Sequence, residues 1–125
     1  ETQIGETIGN MLADYQLGIF LPFIIAAAFK TAQGSSTVAL VATSALIAPL
    51  LSTIGLDSLN GKVLAVMATG AGAMTISHAN DSFFWVVTQF SGMDVKTGYK
   101  THTIATLIQG ITAIVFIFFL TLIFI

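Results

Sequence analysis

The chain has 125 residues, of which 55% are hydrophobic and 8% charged, with a net charge of -2; an average soluble domain is about 25% charged. That balance excludes an ordinary cytosolic fold, and a mean hydropathy of +0.93 together with apolar runs near the roughly 20 residues that cross a bilayer marks an integral membrane protein. There is no arginine and no basic surface to hold a phosphate backbone, which argues against nucleic acid as a partner. The absence of cysteine removes disulfides, thiolate metal sites and cysteine nucleophiles.

Glu1-Thr2-Gln3 opens the chain without a basic region leading into an apolar one, so the start does not read as a signal peptide. Three or four crossings are too few to surround a substrate pathway with two facing repeats, and the expectation is a C-terminal piece of a longer protein. Over residues 1–16, Ile4, Ile8, Met11 and Tyr15 recur at helical spacing with Glu1, Thr7, Asn10 and Asp14 elsewhere, which predicts an interfacial amphipathic helix. Gly5 and Gly9 weaken it by about 1 kcal/mol each, and the alternative is the end of a preceding hairpin.

Leu17 to Phe29 would make about 20 Å of helix, short of the roughly 30 Å hydrocarbon thickness, so it reads as a re-entrant arm or half of a broken span. Pro22 sits early in it, and Ala26-Ala27-Ala28 would admit a close neighbour. A polar interruption follows, Lys30-Thr31-Ala32-Gln33-Gly34-Ser35-Ser36-Thr37, in which Lys30 is the sole charge between Leu17 and Leu56. Val38 to Leu56 would then span once, kinked at Pro49, making residues 17–56 a broken-helix or hairpin unit. Asp57 to Lys62 is a water-exposed turn by composition.

Val63 to Ser77 is rich in small residues, with Ala68 and Gly72 spaced for close helix packing. It runs into a second polar break, His78-Ala79-Asn80-Asp81, before Ser82 to Val87 turns apolar, so residues 63–88 read as a second broken helix. Gln89 to Thr103 should be a loop or surface helix outside the membrane, and its lysines place it on the cytoplasmic side by the positive-inside rule. Ile104 to Ile125 is the clearest single crossing, about 33 Å of uncharged helix, with Thr106 and Gly110 as a packing edge.

Irregular backbone at membrane depth is tolerated where it lines a cavity or site. If a half-helix begins near Val38, then Ser35, Ser36 and Thr37 fall at its N-cap and first turn, where free N–H groups and the dipole favour a carboxylate. Gly34 permits close approach, Gln33 offers a donor and an acceptor, and Lys30 a full positive charge. The alternative is that the serines only cap a helix while Lys30 snorkels to the headgroups. In the second break His78 and Asp81, three residues apart, would share a proton on one helical face; the alternative is a wet turn in which Asn80 and Asp81 satisfy backbone groups. One His and one Asp fall short of a zinc site. Gly70-Ala71-Gly72 lacks the remaining features of a phosphate loop. Asn80-Asp81-Ser82 fits a glycosylation acceptor only by chance, given the apolar arms around it. No nucleophile, base and orienter set suggests an enzyme.

Three stretches, Ala26 to Ala39, Gly70 to Trp85 and the loop Phe90-Ser91-Gly92-Met93-Asp94-Val95-Lys96, together resemble the C-terminal part of the gluconate permease family. These are proton-coupled symporters of sugar acids and related small carboxylates in the ion-transporter superfamily. The resemblance implies an all-α, polytopic protein of the bacterial inner membrane, with transmembrane and broken or re-entrant helices, this chain holding much of the second inverted repeat of a secondary transporter. It implies a small carboxylate and a proton as ligands, no cofactor, and the lipid bilayer with the remainder of the permease or another protomer as partners. Gly34 to Thr37 would belong to the substrate site, and His78 to Asp81 to its second wall or to a coupling element. Members carry gluconate, other aldonates or D-serine, and no residue chooses among them. The competing reading is a small non-transporting membrane protein that packs against a partner, or a truncated permease remnant.

Overall fold

The computed structural model describes residues 18–125, and every regular element in it is helical. The helix expected over residues 1–16 lies outside the described residues. Helix α1 (Phe20–Gln33) ends at Gly34, whose φ of 70° lets its N–H turn back onto the Lys30 carbonyl at 2.8 Å. Ser35 is extended, and its Oγ accepts the Val38 N–H at 3.3 Å to cap α2 (Ser36–Ile47). The two helices pack against each other as a hairpin with a two-residue corner.

Helix α2 does not continue to Leu56 as a kinked span. It stops at Ile47 and passes into a 3-10 turn over Ala48–Leu50. Pro49 has no N–H to give and its ring clashes with the preceding turn, so the chain leaves the helix there and coils back through Gly55 to bury Leu56. The expectation of a 19-residue crossing is therefore corrected to a short arm of 12 residues.

Ser58 caps α3 (Leu59–Ala73) by accepting the Gly61 N–H at 3.0 Å. This helix is central, packing against α1, α2 and the final helix. Gly72 makes the approach to α1 possible: a Cβ there would strike the Phe23 carbonyl, the Ala26 side chain and the Ala27 nitrogen. A larger core of Ile19, Leu56, Leu64, Ala68, Ile114 and Ile117 lies to one side, and a smaller one of Ala26, Ala39 and Ala73 sits where α1, α2 and α3 meet.

Beyond the irregular stretch 74–81, Asp81 caps α4 (Ser82–Phe90). Residues 95–103 are not a loop: Asp94 accepts the Thr97 N–H at 2.8 Å and starts α5 (Val95–Gly98), which runs through a π-turn at Tyr99–Thr103 into α6 (Ile104–Phe124). The outcome is one helix of 30 residues, Val95–Phe124, about 45 Å long. By length and apolarity it alone, among the described residues, is able to cross a bilayer. Of the loop or surface helix expected over Gln89 to Thr103, residues 95–103 take the helix, and Gly98, buried against Phe84 and Thr88 of α4, fixes the start of the long helix.

The distribution of polarity is inverted relative to a soluble domain. Phe116 and Ile123 are 67% and 72% exposed, while Lys30, Asp81, Thr69 and Ser77 are buried. Threonine hydroxyls are accommodated by bonding back to the carbonyl four residues earlier, as Thr31, Thr69, Thr75, Thr88 and Thr121 do. Thr43 is the exception, its buried Oγ1 without a partner among the described residues.

Replacing Gly72 with Val should separate α1 from α3 and destabilise the fold by about 1–3 kcal/mol, read as a lower unfolding temperature in detergent. Gly70→Ala, which points into open space, should leave that temperature unchanged; equal effects at the two glycines would show that close approach at Gly72 does not hold the helices together.

Candidate functional site

The two polar breaks meet. A Cβ on Gly34 would collide with the Asn80 carbonyl, so the α1–α2 corner lies directly on the second break. Asn80 Nδ2 donates to the Thr31 carbonyl at 2.7 Å, and His78 Nε2 lies 3.1 Å from the same oxygen. Because a carbonyl only accepts, His78 carries a proton on Nε2. Together they satisfy a carbonyl in the last turn of α1 that has no intrahelical partner.

The backbone of the second break is held group by group. Ser77 N–H donates to Thr106 Oγ1 at 3.0 Å, and Thr103 Oγ1 donates to the Ser77 carbonyl at 2.6 Å. Ala79 N–H donates to the Tyr99 hydroxyl and the Ala79 carbonyl accepts from Trp85 Nε1 at 2.8 Å. These partners hold Ile76 at a φ of 53°, a left-handed conformation that costs a β-branched residue about 1–2 kcal/mol. Strain of that kind persists where surrounding contacts over-determine the backbone.

At the centre is a buried ion pair. Lys30 Nζ lies 2.5 Å from Asp81 Oδ2, with the two side chains 3% and 5% exposed. Ser77 Oγ donates to the same oxygen at 2.5 Å, and Asp81 Oδ1 accepts the Phe83 N–H at 3.0 Å. Lys30 also reaches the Gly34 carbonyl at 3.4 Å, and His102 Nε2 lies 3.1 Å from Ser77 Oγ. All four ionisable or hydroxyl groups, Lys30, Ser77, Asp81 and His102, border one cavity of about 250 Å³. Ser36, Thr106 and Gln109 complete its polar lining, and Met74, Phe83 and Val87 its apolar wall.

Of the residues singled out from sequence, the structure brings Lys30, Ser36 and Asp81 to this cavity. Gln33 and Thr37 are exposed and do not line it, Ser35 caps α2, and Gly34 is filled by Asn80. The sharing of a proton between His78 and Asp81 is not found. Their stretch is a turn rather than a helix, so residues three apart do not stack; the imidazole turns to α1 while Asp81 turns to Lys30 and Ser77. Nor is Lys30 snorkelling outward. Ser77, His102, Thr106 and Gln109 were not anticipated at the site. Among the described residues no group of His, Cys, Asp and Glu is arranged to hold a metal.

The family model described as GntP family permease matches residues 1–123. The chain belongs to the GntP permease family. It is 36% identical over 121 residues to the gluconate permease of Pseudomonas aeruginosa, a match that covers 96% of this chain and 26% of that relative. It is 40% identical to the inner membrane permease YgbN of Escherichia coli, over 90% of this chain and 24% of the relative. The D-serine transporter DsdX of Escherichia coli is 29% identical, over 98% and 27% of the two chains. The chain thus spans about a quarter of the length of these relatives. No solved structure matches it.

Breaking a buried pair by removing one partner strands a charge in a low dielectric and costs about 3–5 kcal/mol. Lys30→Met or Asp81→Leu alone should destabilise the GntP permease by that amount, whereas Lys30→Met with Asp81→Leu should recover most of the loss. Unfolding in detergent across this double-mutant cycle gives the coupling; additive losses would mean that the two charges do not stabilise each other.

Proposed function

We propose that this chain is the C-terminal transmembrane region of a proton-coupled symporter that imports gluconate or a related small carboxylate across the bacterial inner membrane as a multi-pass protein. Its described units would be the hairpin of α1 and α2, the second broken unit of α3 and α4, and the long helix Val95–Phe124 as the final crossing. The observation that carries the reading is the buried Lys30–Asp81 pair beside the N-terminus of α2. Gluconate and D-serine, the ligands named for relatives, share a carboxylate, and a cation next to a helix N-terminus is a place for one.

One lysine has charge to neutralise one carboxylate at a time. In the substrate-free state that partner is Asp81. When Asp81 takes a proton, Lys30 loses its counter-ion and accepts the substrate carboxylate instead, assisted by Ser36 and the free N–H groups of the first turn of α2. Proton and anion therefore enter together, and the site holds the same net charge in both states. When the substrate leaves, Lys30 draws Asp81 back into its ionised form and the proton departs. His78 and Asn80 form a wall of the site by fixing the second break against α1, while Gln33, Gly34, Ser35 and Thr37 shape the corner that presents the helix N-terminus. The outward apolar faces meet lipid and the remainder of the permease or another protomer.

In the full-length permease, Ser36→Ala should raise the KM for gluconate uptake by about tenfold, the loss of one hydrogen bond to a charged group, with membrane insertion intact. Unchanged affinity across Ser35, Ser36 and Thr37 variants would remove the carboxylate from α2. Asp81→Asn should abolish accumulation driven by a pH gradient and leave gluconate binding insensitive to pH; full pH-driven uptake by that variant would rule out Asp81 as the coupling group.

A further inference from the structure

His102 is a titratable side chain of this cavity with no part in the site as proposed so far. It lies on the π-turn Tyr99–Thr103, and a π-turn inside an α-helix often marks a functional position. That turn directs three residues to Ser77: His102 meets its hydroxyl, Thr103 its carbonyl and Thr106 its N–H. The ring is half-buried, with Phe83 edge-on at 5.4 Å between ring centres and Phe84 at 6.1 Å. The ionisable groups sharing its cavity are Lys30 of α1 and Asp81 at the start of α4. Tyr99 of its own helix is turned to Phe84, Lys96 and Lys100 are exposed, and His78 is bound to the Thr31 carbonyl.

Donor counting fixes the direction of the network. The Ser77 hydroxyl has a single hydrogen, which it donates to Asp81 Oδ2. Towards His102 it has only lone pairs, so Nε2 is the donor and the resting imidazole carries its proton there. We propose that His102 exchanges the coupling proton with Asp81 through the Ser77 hydroxyl. This rests on the symport reading above, and adds the group that hands over the proton.

The step balances. Imidazolium His102 breaks its Nε2–H bond and passes that proton to Ser77 Oγ, as the original hydroxyl proton passes to Asp81 Oδ2. The products are a neutral imidazole protonated on Nδ1, an intact serine hydroxyl now turned to Nε2, and a neutral carboxylic acid beside an unpaired Lys30. The total charge of the three ionisable groups is unchanged, so no net charge is created in the apolar interior. Partial exposure of the ring lets it exchange its proton with water. Release of the proton is the same step reversed.

The test uses the full-length permease in proteoliposomes with radiolabelled gluconate. His102→Gln and Ser77→Ala should each lower pH-driven accumulation by about tenfold or more while gluconate exchange at equal pH on both sides continues. Wild-type pH dependence in both variants would overturn the relay but leave the carboxylate site standing. An absence of pH-driven uptake in the unmutated protein would instead defeat the symport reading itself. Should either variant fail to fold, the unmutated protein decides: the nitrogen-15 signal of His102, assigned from its contact with the Phe83 ring, should show the Nε2–H tautomer and move when gluconate binds. An Nδ1–H tautomer, or a signal that gluconate does not move, would refute the relay.

Discussion

The pairing of Lys30 with Asp81 is the constraint on which the rest depends. Each is an isolated charge in an otherwise apolar stretch, and neither is stable when buried without the other. Joining them requires that the last turn of α1 reach the first turn of α4, across the whole of α2 and α3 in sequence. Small residues make that approach possible: Gly72 brings α3 onto α1, and Gly34 brings the first corner onto Asn80. The packing of glycine and alanine faces thus sets the distance between the two charges.

Breaking two helices leaves backbone groups at their ends without intrahelical partners. The structure answers with side chains of the opposite break and of the long helix. Asn80 and His78 take a carbonyl of α1, while Thr103, Thr106, Tyr99 and Trp85 take the carbonyls and N–H groups of residues 77 and 79. Residues assigned to substrate on polarity alone therefore split in two. Some line the cavity, and others hold the backbone that shapes it.

Much of this was legible in the sequence. Residue type marked both breaks, the serine cap at residue 35, the close-packing spacing of Ala68 and Gly72, and the family. The Lys30–Asp81 contact was within reach too, since Lys30 is the only charge from Leu17 to Leu56 and Asp81 the only one between Lys62 and Asp94; two lone, opposite charges in apolar segments must find partners. Local spacing instead pointed to His78, because an i, i+3 rule presupposes a helix, and the strained turn at Ile76 replaces that helix. Composition left residues 89–103 open between a loop and a surface helix, but gave no sign of the inward turn of His102, which depends on the burial of Gly98 against α4.

In the proposed cycle the transporter gains from keeping its binding cation paired when empty. An unpaired lysine in a cavity of this depth would hold water or any passing anion and resist the rearrangement that moves a site across a membrane. With Asp81 in place the empty site is neutral and compact; in the proposed cycle, with substrate and proton in place it is neutral again. The intermediate states, substrate without proton or proton without substrate, leave either an excess carboxylate or a bare lysine in low dielectric. Each is penalised by the same desolvation that stabilises the pair. Obligatory coupling would then need no separate device, because one lysine facing two carboxylates already disfavours every partly loaded state.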